Sequence, residues 1–193
     1  MLKEVLWNRK IHVILDLLAS VNLEGCSILD IGCNDGYISR AMANSGLSVI
    51  GLEVNPEVAK RAKTNGVDVV IGDAENLPFT RVFDYCLLSE VAEHLIHPRK
   101  ALREASRVLG ENGRFIVIIP NDRNFKIIWM LLFRIKEASL DRGHLHTFTP
   151  KKLADITRNY GTIINEKGIP FDLPYSICLN YAVCFGKNLG TLS

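Results

Sequence analysis

The chain has 193 residues, 48% of them hydrophobic, and a formal net charge of +2. That length and composition suit one domain with one core, and so small a charge gives no indication of a nucleic-acid partner. Five cysteines without CxxC spacing, no signal-peptide pattern and no apolar run of about 20 residues predict a reduced, cytoplasmic protein without a transmembrane segment.

Predicted strands and helices alternate along the chain. An amphipathic helix opens it, with apolar residues at positions 11, 14, 17, 18 and 21. The predicted strands are Ser27–Ile31, 47–53, 67–71, Phe83–Ser89, 114–119, 162–167 and 181–187. The later predicted helices are Tyr37–Asn44, 56–65, 98–109 and 150–160. This order predicts an α/β fold with a doubly wound, mostly parallel sheet.

The turn after the first strand indicates the ligand. Its spacing, Gly32-x-x-x-Gly36, differs from the G-x-G-x-x-G of dinucleotide sites. Asp30 stands two residues before Gly32, where its carboxylate would face the ligand. A carboxylate repels a pyrophosphate but attracts an ammonium and a sulfonium, which are the charged groups of S-adenosylmethionine.

A second carboxylate, Glu53, ends the second predicted strand. Folds of this kind place an acidic side chain there to accept hydrogen bonds from ribose hydroxyls. An NAD(P)-binding oxidoreductase would explain Glu53 equally well, but it would not explain Asp30. The sequence therefore favours S-adenosylmethionine over a nicotinamide cofactor.

The segment from Asp30 to Gly36 resembles the first motif, D/E-x-G-x-G-x-G, of class I S-adenosylmethionine-dependent methyltransferases. Asn34 replaces the middle glycine, and asparagine tolerates a positive φ better than other residues with a side chain. The resemblance extends over about residues 27–160. It implies a seven-stranded sheet of order 3-2-1-4-5-7-6, in which 181–187 is the antiparallel seventh strand.

Two later segments carry the same resemblance. Gly72-Asp73-Ala74-Glu75 is similar to the family's adenine segment, which implies an acceptor at Asp73 and a backbone donor at Ala74. The string Ser89-Glu90-Val91-Ala92-Glu93-His94 resembles the small-molecule branch that includes quinone-biosynthesis enzymes, and implies contact with the methionyl end. The implied cofactor-binding residues are Asp30, Gly32, Cys33, Asn34, Gly36, Tyr37, Glu53, Val54, Asp73, Ala74, Glu75, Ser89, Glu90 and Val91.

Histidines are the candidate residues for catalysis and for contact with the methyl acceptor. His94 is the candidate catalytic base, required only if the acceptor must lose a proton. His144 and His146 lie in a segment that resembles the same branch and are expected on the acceptor side. Glu90 and His94 are four residues apart and would share a helix face, but the branch does not need a metal and none is expected.

An insertion at about 121–142 has no place in the minimal fold. Its apolar run, 127–133, contains Trp129 and Phe133, has basic flanks, and is too short to cross a membrane. Three interpretations remain: a lid over the acceptor pocket, a dimer or membrane-surface contact, and core packing. The lid interpretation places Trp129 and Phe133 beside the substrate.

The sequence thus predicts an enzyme that transfers a methyl group from S-adenosylmethionine to a small or lipid-like acceptor and releases S-adenosylhomocysteine. One rival interpretation is a cofactor-binding regulatory module without turnover, favoured only by Asn34. The other is the NAD(P)-binding oxidoreductase, which the glycine spacing and Asp30 disfavour. No nucleic-acid partner is indicated, and the oligomeric state is left open.

Overall fold

The computed structural model describes residues 2–18, 23–80, 82–124, 127, 143–170 and 172–187. Trp129, Phe133 and most of the predicted insertion at 121–142 lie outside the described residues. Within the described ranges, no helix has the length and apolar character required to span a bilayer. All five cysteines carry free thiols, as their spacing predicted.

Seven strands form one sheet in the order β3-β2-β1-β4-β5-β7-β6. The first four pairings are parallel, and β7 runs antiparallel to both of its neighbours. The strands are β1 (Ser27–Ile31), β2 (Ser48–Glu53), β3 (Val69–Ile71), β4 (Phe83–Ser89), β5 (Leu109–Pro120), β6 (Gly161–Ile169) and β7 (Asn180–Lys187). The fold class and the strand order predicted from the sequence are confirmed.

Helices cover both faces of this sheet. Their bounds are α1 (Leu2–Leu18), α2 (Tyr37–Asn44), α3 (Pro56–Thr64), α4 (Pro98–Val108) and α5 (Pro150–Thr157). Successive residues of a strand point to opposite faces, so Ile28 packs with α1 and α2 while Leu29 packs with α4 and α5. The central strands are buried on both sides, which explains their nearly continuous apolar sequences.

Side-chain hydrogen bonds and prolines set the amino-terminal ends of α3 and α5. The Asn55 side chain accepts hydrogen bonds from the backbone N–H groups of Glu57 and Val58, and Thr149 accepts one from Lys152. A proline begins each of these helices, where its missing N–H costs nothing.

The order in which strands are added to the sheet reverses between β1 and β4, since β2 and β3 lie on one side of β1 and the later strands on the other. In doubly wound sheets, ligands bind at the carboxyl ends of the strands beside this switch point. The loops that follow β1, β2 and β4 therefore form the candidate site.

Candidate active site

The turn after β1 has the backbone conformation that its sequence predicted. Gly32, Asn34 and Gly36 have φ values of +78°, +52° and +81°. The backbone N–H groups of Gly32 and Cys33 donate to the Leu52 carbonyl at 2.8 and 3.0 Å, which fixes the turn against β2. The predicted tolerance of Asn34 for a positive φ is confirmed.

Gly32 also permits a close approach between two loops. A Cβ atom at this position would lie 2.5 Å from Cγ2 of Val91, in the loop after β4. Contacts this short do not occur between real carbon atoms, and the positive φ adds strain for any other residue. The loops after β1 and β4 thus meet at Gly32, which brings Ser89–Val91 beside Asp30.

Asp30 is a buried carboxylate, 2% exposed, and its Oδ2 accepts a hydrogen bond of 2.5 Å from the Ser39 hydroxyl. Burial raises the pKa of Asp30 to about 6; the Ser39 hydrogen bond opposes this shift and the charge of Glu53 adds to it. The side chain lines a cavity of about 440 Å³. At neutral pH the carboxylate is charged, so a cationic ligand group in this cavity would stabilise it.

Glu53 fastens the turns that follow β1 and β2. Its Oε2 accepts from the Asn34 N–H at 3.1 Å, and its Oε1 accepts from the Asn55 N–H at 2.9 Å. Each carboxylate oxygen has a further lone pair, so the side chain can still accept from two hydroxyls. Glu53 lines a second cavity, of about 520 Å³.

The segment after β3 forms the far end of this second cavity. Asp73 Oδ1 accepts from the Glu75 N–H at 2.8 Å, while Glu75 Oε1 accepts from the His97 N–H at 2.7 Å. The Glu75 carboxylate is therefore held by the first turn of α4, although the residue lines the cavity. Asp73 and Ala74, which were predicted to contact adenine, also line this cavity.

Two exposed apolar side chains line the second cavity. Val54 is 67% exposed and Ile96 is 70% exposed, and the half-buried Leu95 lines the same cavity. Such surfaces suit the faces of a flat aromatic ring. Sequence reasoning identified Val54 but missed Leu95 and Ile96, which follow the Ser89–His94 string directly and carry no polar signal.

Glu90 stands where the two cavities meet. It has a φ of +56°, and its carboxylate accepts from Lys10 Nζ at 2.5 Å and Asn180 Nδ2 at 2.7 Å. Lys10 is only 5% exposed, so this ion pair fixes α1 against the cleft. The expectation that Glu90 and His94 share a helix face is wrong, because only Ala92–His94 is helical, as a single 3₁₀ turn.

An aromatic pair, Trp7 of α1 and Tyr37 of α2, lines the first cavity. The Trp7 and Tyr37 rings meet edge to face at 5.5 Å, and the Tyr37 hydroxyl donates to Asn8 Oδ1 at 3.2 Å. Lys10 Nζ lies 4.8 Å from the Trp7 ring centroid. Sequence reasoning predicted Tyr37 but missed Trp7 and Lys10, because it gave the opening helix no role beyond packing.

Histidines from two segments meet beside Glu93. The Glu93 carbonyl accepts from the Leu145 and His146 N–H groups at 2.8 and 3.0 Å, which holds 143–150 against the loop after β4. The His94 and His144 rings lie 4.8 Å apart, edge to face, and both residues line the first cavity. His146 lies 6.0 Å from the Phe148 ring and does not line that cavity.

Glu93 is the unusual member of this cluster. Its side chain is 1% exposed, and neither carboxylate oxygen has a hydrogen-bond partner in the described structure. Burial raises the pKa of Glu93 to about 8, and the charges of Glu90 and Asp122 add to the shift. Candidate ligand atoms of Glu93, His94 and His144 all lie within 4.8 Å of one another.

Both cavities share Gly32, Asn34, Glu90 and His94, so they form one elongated cleft across the carboxyl ends of β1, β2 and β4. Glu53 and Asp73 lie at one end, and Asp30, Trp7 and His144 at the other. The cleft suits a ligand with a nucleoside at one end and a cationic group at the other.

Known proteins have sequences similar to part of this chain. A family described as "Methyltransferase domain" matches residues 29–117. A ubiquinone biosynthesis O-methyltransferase of Xanthomonas oryzae is 31% identical over 111 residues, 53% of this chain and 46% of that protein. A demethylmenaquinone methyltransferase of Paenarthrobacter aurescens is 33% identical over 110 residues, 52% of this chain and 43% of that protein.

A solved structure with the same fold extends the comparison beyond the matched half. It is the N-methyltransferase NodS of Bradyrhizobium japonicum in complex with S-adenosylhomocysteine, with a TM-score of 0.70 and 17% identity, covering 94% of this chain and 87% of that one. At this identity the likeness concerns the fold.

The family match covers residues 29–117, and the sheet order and the glycine turn with Asp30 resemble those of class I S-adenosylmethionine-dependent methyltransferases. It resembles their small-molecule branch. The chain spans less than half the length of the curated relatives it matches.

Proposed function

We propose that this protein binds S-adenosylmethionine along the whole cleft. Adenine occupies the cavity of Asp73 and Ala74, with Val54 and Ile96 against the ring. The ribose hydroxyls donate to Glu53. The methionyl ammonium lies against Asp30, and the backbone of Ser89–Val91 passes beside the methionyl end. The observation that carries the proposal is the continuous cleft with buried Asp30 at one end and Glu53 at the other.

The proposed reaction is methyl transfer by in-line displacement. An acceptor atom forms a bond to the methyl carbon while the carbon–sulfur bond breaks, and S-adenosylhomocysteine leaves without the sulfonium charge. Since the sulfonium is already a strong electrophile, the protein's main task is to align the two reactants and exclude water. Trp7, Tyr37, His94 and His144 surround the space that the acceptor would enter.

Two curated relatives support a quinone-type ring as the acceptor, within the broader class of small or lipid-like molecules. The insertion at 121–142, with Trp129 and Phe133, is proposed to cover this acceptor. His94 stays the predicted catalytic residue, and His146 a predicted acceptor-side residue. We place the reaction in the cytoplasm, on the strength of the five free cysteine thiols.

Turnover distinguishes this function from a regulatory module that binds the cofactor without transferring its methyl group. Purified protein is incubated with methyl-labelled S-adenosylmethionine and fractionated cell extract, and label is measured in small molecules and lipids. We expect label in an organic-soluble fraction with the parent protein, and less label with Asp30→Asn when the cofactor concentration is too low to saturate the variant. Cofactor binding without label in any fraction would favour the regulatory module.

A further inference from the structure

We propose that Lys10, on the opening helix α1, is a positioning residue for the cofactor. Through its ion pair with Glu90 it holds the loop after β4 in the conformation that receives the methionyl end of S-adenosylmethionine. This inference rests on the proposed function for the identity of the ligand. Its physical basis, the hold of a helix on a loop 80 residues away, can be measured without any ligand.

Glu90 has a backbone conformation that needs support. Its φ of +56° lies in the left-handed region, which residues with a side chain rarely adopt. Such a conformation persists only where surrounding contacts hold it in place. The main chain supplies one of these contacts, since the Glu90 N–H donates to the Ile118 carbonyl of β5 at 2.9 Å. The side chain supplies further support.

The side chain of Glu90 is held from two distant elements. Lys10 Nζ lies 2.5 Å from Oε2, and Asn180 Nδ2 donates to Oε1 at 2.7 Å. Each carboxylate oxygen therefore has its own donor, and one of the two donors is charged. The side chains of Lys10 and Glu90 are only 7% and 26% exposed, so water is a poor substitute for either partner. Lys10 and Asn180 both lie outside the residues that match the methyltransferase family.

Lys10 is a fixed point because the following part of α1 is anchored in the core. That part of the helix buries its apolar side chains against the sheet and α2, namely Val13, Ile14, Leu17 and Leu18. One turn before Lys10, Trp7 lines the first cavity, and Lys10 Nζ lies 4.8 Å from the Trp7 ring centroid. The Lys10 side chain thus contacts both the loop after β4 and a wall of the proposed acceptor space.

The conformation of Glu90 sets the shape of the cleft between two loops. Glu90 lines both cavities, and the next residue, Val91, is the one that Gly32 allows to approach the turn after β1. A change in the φ of Glu90 would rotate Val91 relative to Ser89 and move the loop against the turn that follows Asp30. Because the methionyl end is proposed to lie between this loop and this turn, the ion pair controls the site that it enters.

A direct contact between the Glu90 carboxylate and the cofactor is the alternative role of this residue. Glycine distinguishes the two roles, because it adopts a positive φ without strain and has no carboxylate. Glu90→Ala removes the carboxylate but keeps the strain, whereas Glu90→Gly removes both. A direct contact predicts equal losses of affinity in the two variants, and positioning predicts a larger loss in Glu90→Ala.

The test measures S-adenosylhomocysteine affinity of the whole chain by calorimetry. We expect Lys10→Met and Glu90→Ala each to bind roughly 10-fold more weakly than the parent. Glu90→Gly should bind roughly threefold more tightly than Glu90→Ala, since the left-handed backbone is then unstrained. Adding Lys10→Met to Glu90→Gly should change the affinity by less than about threefold, because no strained backbone remains to be held. Lys60→Met removes the same charge from an exposed position on α3 and is the matched control.

Amide hydrogen exchange of the cofactor-free protein gives a second readout. The Glu90 N–H should exchange roughly 10-fold faster in Lys10→Met than in the parent, because the loop opens more often when the ion pair is lost. Exchange in Lys60→Met should match that of the parent.

Parent-like affinity in a folded Lys10→Met overturns the inference and leaves the proposed function standing. Equal losses in Glu90→Ala and Glu90→Gly overturn it as well, and this comparison decides alone if Lys10→Met fails to fold. A parent that binds no S-adenosylhomocysteine contradicts the proposed function, and faster exchange in Lys10→Met then still supports the hold of α1 on the loop.

Discussion

Replacing Asp30 with Asn is expected to weaken S-adenosylmethionine binding by about 10- to 100-fold, because the carboxylate–ammonium hydrogen bond contributes roughly 1.5–3 kcal/mol. The same change should stabilise the cofactor-free fold. The pKa of Asp30 is raised from 3.8 to about 6 by burial, so the native state prefers the uncharged carboxyl. Above pH 6 the buried charge reduces stability by up to about 3 kcal/mol, and this penalty disappears as the pH falls below 4.

Calorimetry and thermal unfolding at pH 5 and pH 7.5 test both parts of this prediction. The parent should lose cofactor affinity as the pH falls through 6, since Asp30 becomes protonated, while Asp30→Asn should show little change. The gain in stability should be larger at pH 7.5 than at pH 5, because the native carboxyl is mostly protonated at pH 5. Asp68→Asn removes the same charge from an exposed position and serves as the control. Parent-like affinity in Asp30→Asn at pH 7.5 would show that the ammonium does not lie there.

Replacing Glu53 with Ala is expected to reduce cofactor affinity by about 2–4 kcal/mol, or roughly 30- to 1000-fold. Two losses combine in this variant. The ribose hydroxyls lose their acceptor, and the Asn34 and Asn55 N–H groups lose the carboxylate that fastens the two turns. The loss should therefore exceed that expected from the ribose contacts alone.

Glu53→Gln separates the two contributions, because Gln keeps one acceptor oxygen and most of the side-chain volume. The cofactor affinity of Glu53→Gln should lie between the affinities of the parent and of Glu53→Ala. Glu57→Ala, an exposed glutamate in the first turn of α3, is the matched control. Calorimetry with S-adenosylhomocysteine gives all four affinities. A loss below about threefold in Glu53→Ala would contradict the ribose assignment.

Local sequence patterns predicted the glycine turn and the two carboxylates that line the cleft. The Asp30–Gly36 turn and Glu53 depend on short stretches in which a strand ends and a helix begins, and such signals are contained within a few residues. Local sequence patterns could not predict that 181–187 forms an antiparallel strand. Nothing in its own sequence distinguishes it from a parallel strand, and the resemblance to a known family supplied its place.

Contacts between distant parts of the chain could not be predicted. Lys10 and Glu90 are 80 residues apart, and only the packing of α1 against the sheet brings them together. The positive φ of Glu90 breaks the helical spacing that its sequence suggests. Similarly, α4 passes directly into β5 at Leu109, because pairing with β4 extends the strand beyond the predicted 114–119. Contacts between elements that are distant in the sequence determine the ion pair, the backbone angle and the strand boundary.

The choice of ligand tests the central claim most directly. Calorimetry on the parent protein compares S-adenosylmethionine, S-adenosylhomocysteine and NAD at equal concentrations. The cleft predicts binding of the first two and no detectable binding of NAD, since Asp30 repels a pyrophosphate and attracts an ammonium. Tight NAD binding without S-adenosylhomocysteine binding would contradict the account.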